Sequence, residues 1–178
     1  MNLKLPYLFV DLDETLVHSI EKERLGGRKL PDFDNFAHGS YVTFLRPEAR
    51  AILEICREWA QEVVLFTFSE AAYAREISQA FGFGFAANQV FGCELFVFGE
   101  KDLSPTGALI DDLPPGHENA RLKMRTLGIG PERYLQIPTF GAPKFASCRT
   151  FLLGLPYRLE KLAPRRAVGG RARAGALG

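Results

Sequence analysis

Two segments, YLFV at residues 7–10 and VVLF at 63–66, are apolar at every position. Successive side chains of a strand point to opposite faces. A strand with no polar position therefore needs cover on both sides, as in a parallel sheet held between helices. Elsewhere the period changes. Residues 47–62 (PEARAILEICREWAQE) put Ala51, Ile52, Ile55, Cys56 and Trp59 on one helical stripe, with Pro47 in the first turn. Residues 70–82 (EAAYAREISQAFG) predict a second amphipathic helix stopped by Gly82, and 118–130 (ENARLKMRTLGIG) a third closed by glycines. Further strands are expected at 40–47 (SYVTFLRP), 94–98 (ELFVF), 107–112 (GALIDD) and 133–138 (RYLQIP). Strands alternating with helices predict an α/β fold with a mostly parallel central sheet flanked by helices. Residues 20–40 break the alternation with Gly26, Gly27, Pro31 and Gly39 and read as a small flap at the mouth of a site, carrying a short hairpin.

A length of 178 residues with 47% hydrophobic content suffices for one domain with its own core, and most of the 15 phenylalanines are expected there. The net charge of +1 is uneven: six basic residues against Glu160 fall in 158–178, which leaves the remainder acidic. We therefore expect a domain over 1–157 and a basic, Gly/Ala/Arg-rich flexible tail over 158–178. Cys56, Cys93 and Cys148 stand far apart without metal-type spacing, which points away from a disulfide framework and toward a reducing, cytoplasmic setting. No apolar run approaches the ~20 residues of a membrane span, so no membrane partner is expected.

The first strand ends in DLDETLVHS, residues 11–19. Asp11 and Asp13, one residue apart at a strand end, can converge on one ligand. One carboxylate can act as a nucleophile, while the other protonates a leaving oxygen and later deprotonates a water. Two such charges ~4 Å apart repel by roughly 4 kcal/mol at an effective dielectric of 20, so the site calls for cations. A hard divalent ion such as Mg²⁺ suits an oxygen-only donor set, and a lysine can neutralise a phosphate oxygen. The other parts follow in order: Thr67 closes the second apolar strand, Lys101 follows the third apolar stretch, and Asp111 and Asp112 close the fourth.

DLDETLVHS, followed by FLRPEARAILE, VVLFTFSEAAYA, KDLS and IDD, resembles the haloacid-dehalogenase (HAD) superfamily of aspartate-nucleophile phosphatases. Within it, the chain resembles the branch of small phosphatases acting on the C-terminal domain of RNA polymerase II, the NLI-interacting-factor-like branch. The resemblance spans roughly residues 6–145. It implies a Rossmann-like HAD fold with a small flap and no large cap, and a Mg²⁺ cofactor. It implies that Asp11 is nucleophile and metal ligand, and that Asp13 is general acid/base and lends its carbonyl to the metal. Thr67 and Lys101 would hold the phosphate, with backbone N–H groups about Leu12 and Phe68 assisting. Asp112 would ligate the metal directly, Asp111 from the outer shell, and Thr15 would buttress the loop. The stretch between Lys101 and Asp111, DLSPTGALI, is shorter than the family's usual approach, so a tight turn must deliver that lysine.

The expected reaction is hydrolysis of a phosphate monoester through an aspartyl-phosphate, on a phosphoprotein at Ser or Thr. The alternatives are a nucleotide or polynucleotide-end phosphatase, which the basic tail favours, and a non-catalytic phosphate-binding module. His18 reads as packing, and the glycines of GFGFAA (82–87) and GIGPER (128–133) as helix-terminating turns without the full GxGxxG pattern.

Overall fold

The computed structural model of the chain describes residues 4–26, 32–98, 107–141 and 145–164. In chain order its elements begin with β1 (Leu5–Val10), β2 (Val17–Glu21), the short α1 (Lys22–Leu25), β3 (Asn35–His38), β4 (Tyr41–Leu45), α2 (Ala49–Trp59) and β5 (Ala60–Phe66). They continue with α3 (Ala71–Ala80), β6 (Val90–Phe91), α4 (Glu94–Phe98), β7 (Ala108–Asp111), α5 (Glu118–Leu127), β8 (Tyr134–Gln136) and α6 (Arg149–Leu162).

The first apolar run is the central strand. β1 pairs in parallel with β5 on one side and β7 on the other, and the sheet runs β6-β5-β1-β7-β8. Both faces are covered, as a strand without polar positions requires. Leu8 and Val10 face a cluster that includes Ile52, Leu53 and Cys56 of α2, Ala74 and Ile77 of α3, and Phe151, Leu155 and Leu159 of α6. Phe9 faces the other way, onto Val64, Phe66 and Leu109 and onto Ala120, Met124 and Leu127 of α5. The result is the α/β sandwich expected. The chain leaves β1 toward β5 and β6 and returns to β7 on the opposite side. Such sheets open their ligand crevice at that reversal, beyond the carboxyl ends of the strands. Asp11 and Asp111 stand there, and the Asp11 N–H donates to the Ile110 carbonyl at 2.9 Å.

The flap is a small antiparallel sheet, β2-β4-β3. Its base is aromatic: Val42, Phe44 and Phe140 are buried with Phe33 and Phe145 packed against them. Arg46, which follows β4, is fully buried. It donates to the carbonyls of Glu14 (3.1 Å) and Pro138 (2.5 Å) and lies 4.9 Å from the centroid of the Phe140 ring. This guanidinium ties the loop after β1 to the segment after β8.

Two expectations need correction. ELFVF is not a strand but the helix α4; short apolar runs fit either state. Here Glu94 turns back so that its carboxylate accepts the Ala71 N–H (3.1 Å), and the sheet edge is instead the two-residue β6. Gly92 permits this approach, since a Cβ there would lie 2.2 Å from the Ala71 nitrogen. The boundary at 157 is the second correction, for it falls inside α6, a helix the sequence pattern did not reveal. Gly154 and Pro156 interrupt its apolar stripe, and proline disfavours a helix interior, yet Phe151, Leu155 and Leu159 form a buried row against the core. Residues 158–162 are therefore helix rather than tail, and 165–178 lie outside the described residues. Among the described residues no helix is long and apolar enough to cross a membrane.

If α6 belongs to the domain, Leu159→Ala removes a fully buried side chain and should cost about 2–5 kcal/mol. Urea unfolding measures this; an unshifted midpoint would place the helix outside the cooperative unit.

Candidate active site

The loop after β1 is wound tightly. The Leu12 carbonyl accepts from both Leu16 and Val17 N–H groups, and Glu14 takes a left-handed backbone with φ +60°. Such a conformation is uncommon outside glycine. It is held here because the Glu14 carbonyl accepts from the Phe140 N–H and from Arg46, while its side chain meets His18 Nδ1 at 2.5 Å. The winding sends the two aspartates of the motif in different directions.

Asp11 points into the protein and is 4% exposed. Its Oδ1 accepts from Lys123 Nζ at 2.7 Å and its Oδ2 from the Thr15 hydroxyl at 3.2 Å, so Thr15 buttresses the loop. Lys123 also donates to Asp111 Oδ2 at 2.6 Å and sits 5.1 Å from the centroid of the Phe68 ring. Burial pushes the Asp11 carboxyl up to about 8; Lys123 opposes the shift and Asp111 adds to it. For Lys123, burial pulls the ammonium down, but Asp11 and Asp111 together outweigh it and raise the group above its ordinary value. A buried lysine paired this way is a fixed positive charge in the crevice.

Asp111 has both oxygens engaged, the second accepting the Leu113 N–H at 2.9 Å. Asp112, 6% exposed, is pushed up to about 6, chiefly by burial, with Thr139 opposing and Asp111 and Glu14 adding. Asp11, Asp111 and Asp112 each bring one carboxylate oxygen within 4.8 Å of the others, and all three are buried. Three carboxylates against one ammonium leave the cluster short of positive charge, and the donors are all oxygen. The residues present therefore fit a hard divalent cation such as Mg²⁺. The Asp13 carboxylate is not part of this cluster; any metal contact from that residue would come from its carbonyl.

Asp13 points instead toward α3 and the flap. Its Oδ2 accepts from Ser69 Oγ (2.7 Å) and Thr67 Oγ1 (3.1 Å), and its Oδ1 from the Tyr73 hydroxyl (3.1 Å). Tyr73 continues to Ser19 Oγ (2.7 Å), which meets Thr43 Oγ1 at 2.7 Å. Thr67, expected at a phosphate, here donates to Asp13 and accepts the Ser69 N–H at 3.0 Å. Phe68 stacks on Phe96 with centroids 4.3 Å apart. The Leu12 side chain is buried in the core.

The structure thus gathers Asp11, Asp13, Thr67, Phe68, Asp111 and Asp112 at one crevice. Lys101 lies outside the described residues. The lysine that reaches Asp11 is Lys123, which the sequence reading passed over. A signal was available: Lys123 falls beside Ala120, Met124 and Leu127 on the inward stripe of α5, where a charge needs a partner.

The class defined by this fold and crevice is an α/β protein with acidic clusters at the carboxyl ends of β1 and β7. The profile of the NLI interacting factor-like phosphatases matches residues 6–96, more than half the chain. The chain belongs to that family. Its fold is also that of Fcp1, described as an essential RNA polymerase II CTD phosphatase, with a TM-score of 0.51 and 17% identity over 76% of this chain and 42% of that one. Fission yeast Fcp1 bound to beryllium fluoride gives 0.50 and 16% over 89% and 50%. The chain thus spans half or less of the length of these structures. No match is found among curated proteins.

Lys123→Met leaves Asp11 and Asp111 facing each other without their shared cation. Breaking a buried pair costs about 3–5 kcal/mol, so unfolding without divalent ions should shift by that much, and millimolar Mg²⁺ should restore part of the loss. A midpoint equal to that of the parent protein would remove Lys123 from its place in the site.

Proposed function

We propose that the chain is a Mg²⁺-dependent phosphate monoester hydrolase that works through an aspartyl-phosphate on Asp11, with phosphoserine or phosphothreonine in protein as substrate. The observation that carries this reading is the sorting of two nearby carboxylates into different surroundings. Asp11 lies in a buried charge cluster with Lys123. Asp13 lies among three hydroxyls at the edge of an open cleft. Family membership supports the reaction class, and the relatives described as polymerase-tail phosphatases support a protein substrate.

Asp11, Asp112 and the Asp13 carbonyl would hold the cation, with Asp111 behind them, occupied by Lys123 and the Leu113 N–H. Bound there, Mg²⁺ would supply charge neutralisation for the phosphoryl oxygens and the nucleophile. A carboxylate oxygen of Asp11 attacks phosphorus and forms an acyl phosphate as the bond to the leaving oxygen breaks; Asp13 gives that oxygen its proton. A water then attacks phosphorus, Asp13 takes the water's proton, and the bond to Asp11 breaks. Both carboxyls return to their starting states. Lys123 screens the phosphoryl charge from Asp111, and the Thr67 hydroxyl passes from Asp13 to a phosphoryl oxygen.

Asp11→Asn should lower turnover of p-nitrophenyl phosphate by at least about a thousandfold, the scale on which loss of a nucleophile is felt. Acid-quenched parent enzyme should carry its phosphoryl group on the peptide containing Asp11. A phosphoryl group on another residue, or turnover that survives the substitution, would overturn the mechanism.

A pH dependence follows from burial. Burial raises the Asp11 carboxyl well above its ordinary value, to about 8, so a proton competes with a cation for it. Mg²⁺ binding should therefore release a proton at pH 7, and its affinity should rise by up to about tenfold per pH unit from 6 to 8, then level. Titration calorimetry in buffers of different ionisation enthalpy measures both; affinity independent of pH would contradict the assignment of Asp11 as a ligand.

A further inference from the structure

The reaction needs a place for the leaving group on the far side of Asp13 from the charge cluster, and the structure has one. A cleft of about 630 Å³ runs between the flap and α3 with Asp13 at its inner end. Ser19, His38 and Tyr41 come from the flap side, and Glu70, Tyr73 and Glu76 from the α3 side. The two walls are locked together by the Ser19–Tyr73 hydrogen bond at 2.7 Å. His38 stacks on Tyr41 at 6.0 Å and on Phe36 at 5.7 Å, centroid to centroid, and faces the tilted ring of Tyr73 from the other wall at 5.4 Å. Besides Asp13, the cleft carries the carboxylates of Glu70 and Glu76, and no lysine or arginine among the described residues that line it.

Aromatic faces and carboxylates together attract cations, and charge complementarity of this kind sets selectivity more than raw affinity. Resting on the proposed phosphatase reaction, we propose that this cleft selects phosphate monoesters whose leaving group carries a positive charge: a phosphoserine or phosphothreonine with an adjacent arginine or lysine. The two ends of the substrate are then read by opposite charge, the phosphoryl group at Lys123 and the leaving group at Glu70 and Glu76. The same carboxylates repel a leaving group that carries further phosphates, so a polynucleotide end is disfavoured. The cleft is larger than a small cationic alcohol needs, which favours a peptide over phosphocholine, although the two share the chemistry.

The test is kcat/KM, with Mg²⁺, on phosphopeptides identical but for Arg, Ala or Glu beside the phosphoserine, with phosphocholine and a 5′-phosphorylated oligonucleotide in parallel. Two exposed charge contacts should favour the Arg peptide over the Ala peptide by about fivefold, mainly through KM. In Glu70→Gln/Glu76→Gln that ratio should fall toward one, as it should for the parent enzyme in high salt. Phosphocholine turned over better than the Arg peptide would assign the same preference to a small cation. An Arg-to-Ala ratio of one, a preference for the Glu peptide, or a preference for the oligonucleotide would each overturn the inference while p-nitrophenyl phosphate turnover leaves the phosphatase reading standing. Loss of the aryl phosphate activity itself would instead remove the reading beneath it.

Discussion

The crevice depends on one buried ammonium. Lys123 holds Asp11 at 2.7 Å and Asp111 at 2.6 Å, and these carboxylates end neighbouring parallel strands. Without a cation between them, two nearly unexposed acids at the carboxyl ends of β1 and β7 would oppose the very pairing that makes the sheet. A buried ion pair is weak evidence for stability, because desolvation offsets much of the attraction. Its value lies in placement: the positive charge is held at the crevice before any ligand arrives. The three carboxylates still exceed the one ammonium, and burial drives Asp11 to about 8 and Asp112 to about 6. A second cation there would offset that excess of buried acid.

Around that centre, backbone geometry separates two acids that the sequence places one residue apart. Alternation along a strand would give Asp11 and Asp13 one face. The left-handed Glu14, fixed by Phe140 and Arg46, ends the strand and sends Asp13 outward to Thr67, Ser69 and Tyr73. Arg46 has no room to be anything but structural. It is fully buried, and its Nη2 donates to backbone carbonyls of two loops. The loop that carries both aspartates is thus tied to the segment after β8.

Much of this was legible before any coordinates. YLFV and VVLF announced a sheet covered on both faces because strands lacking polar positions have few other homes. Asp11, Asp13, Thr67, Asp111 and Asp112 were found because each follows an apolar strand, and strand ends in such folds lie together. The misses have physical causes. Helix α4 and the strand read from ELFVF compete on nearly equal terms in five residues, and a tertiary contact, Glu94 with the start of α3, decides between them. Helix α6 was hidden by Gly154 and Pro156, which local propensity penalises but packing of Phe151, Leu155 and Leu159 overrides. Lys123 was overlooked because a lysine in ENARLKMRTL looks like any solvated helix charge. Only its position beside Ala120, Met124 and Leu127 marks it as inward.

That lysine also bears on how the site is divided among elements. It arrives from α5, on the face of the sheet opposite α2, α3 and α6, so its delivery does not involve the flap. The entry to β7 leaves little freedom on that side: a Cβ on Gly107 would lie 2.7 Å from the Phe9 ring, and Arg133 fastens the Gly107 carbonyl at 3.1 Å. The buried ammonium and the groups that line the cleft therefore sit on separate supports. α5 and the strand ends hold the first, and the flap with α3 holds the second. Tyr41, Glu70 and Glu76 line the cleft, and among the described residues the hydrogen bonds of the triad of Asp11, Asp111 and Lys123 do not extend to them. On the proposed reaction, substrate choice is set on the flap side and the handling of phosphate on the sheet side.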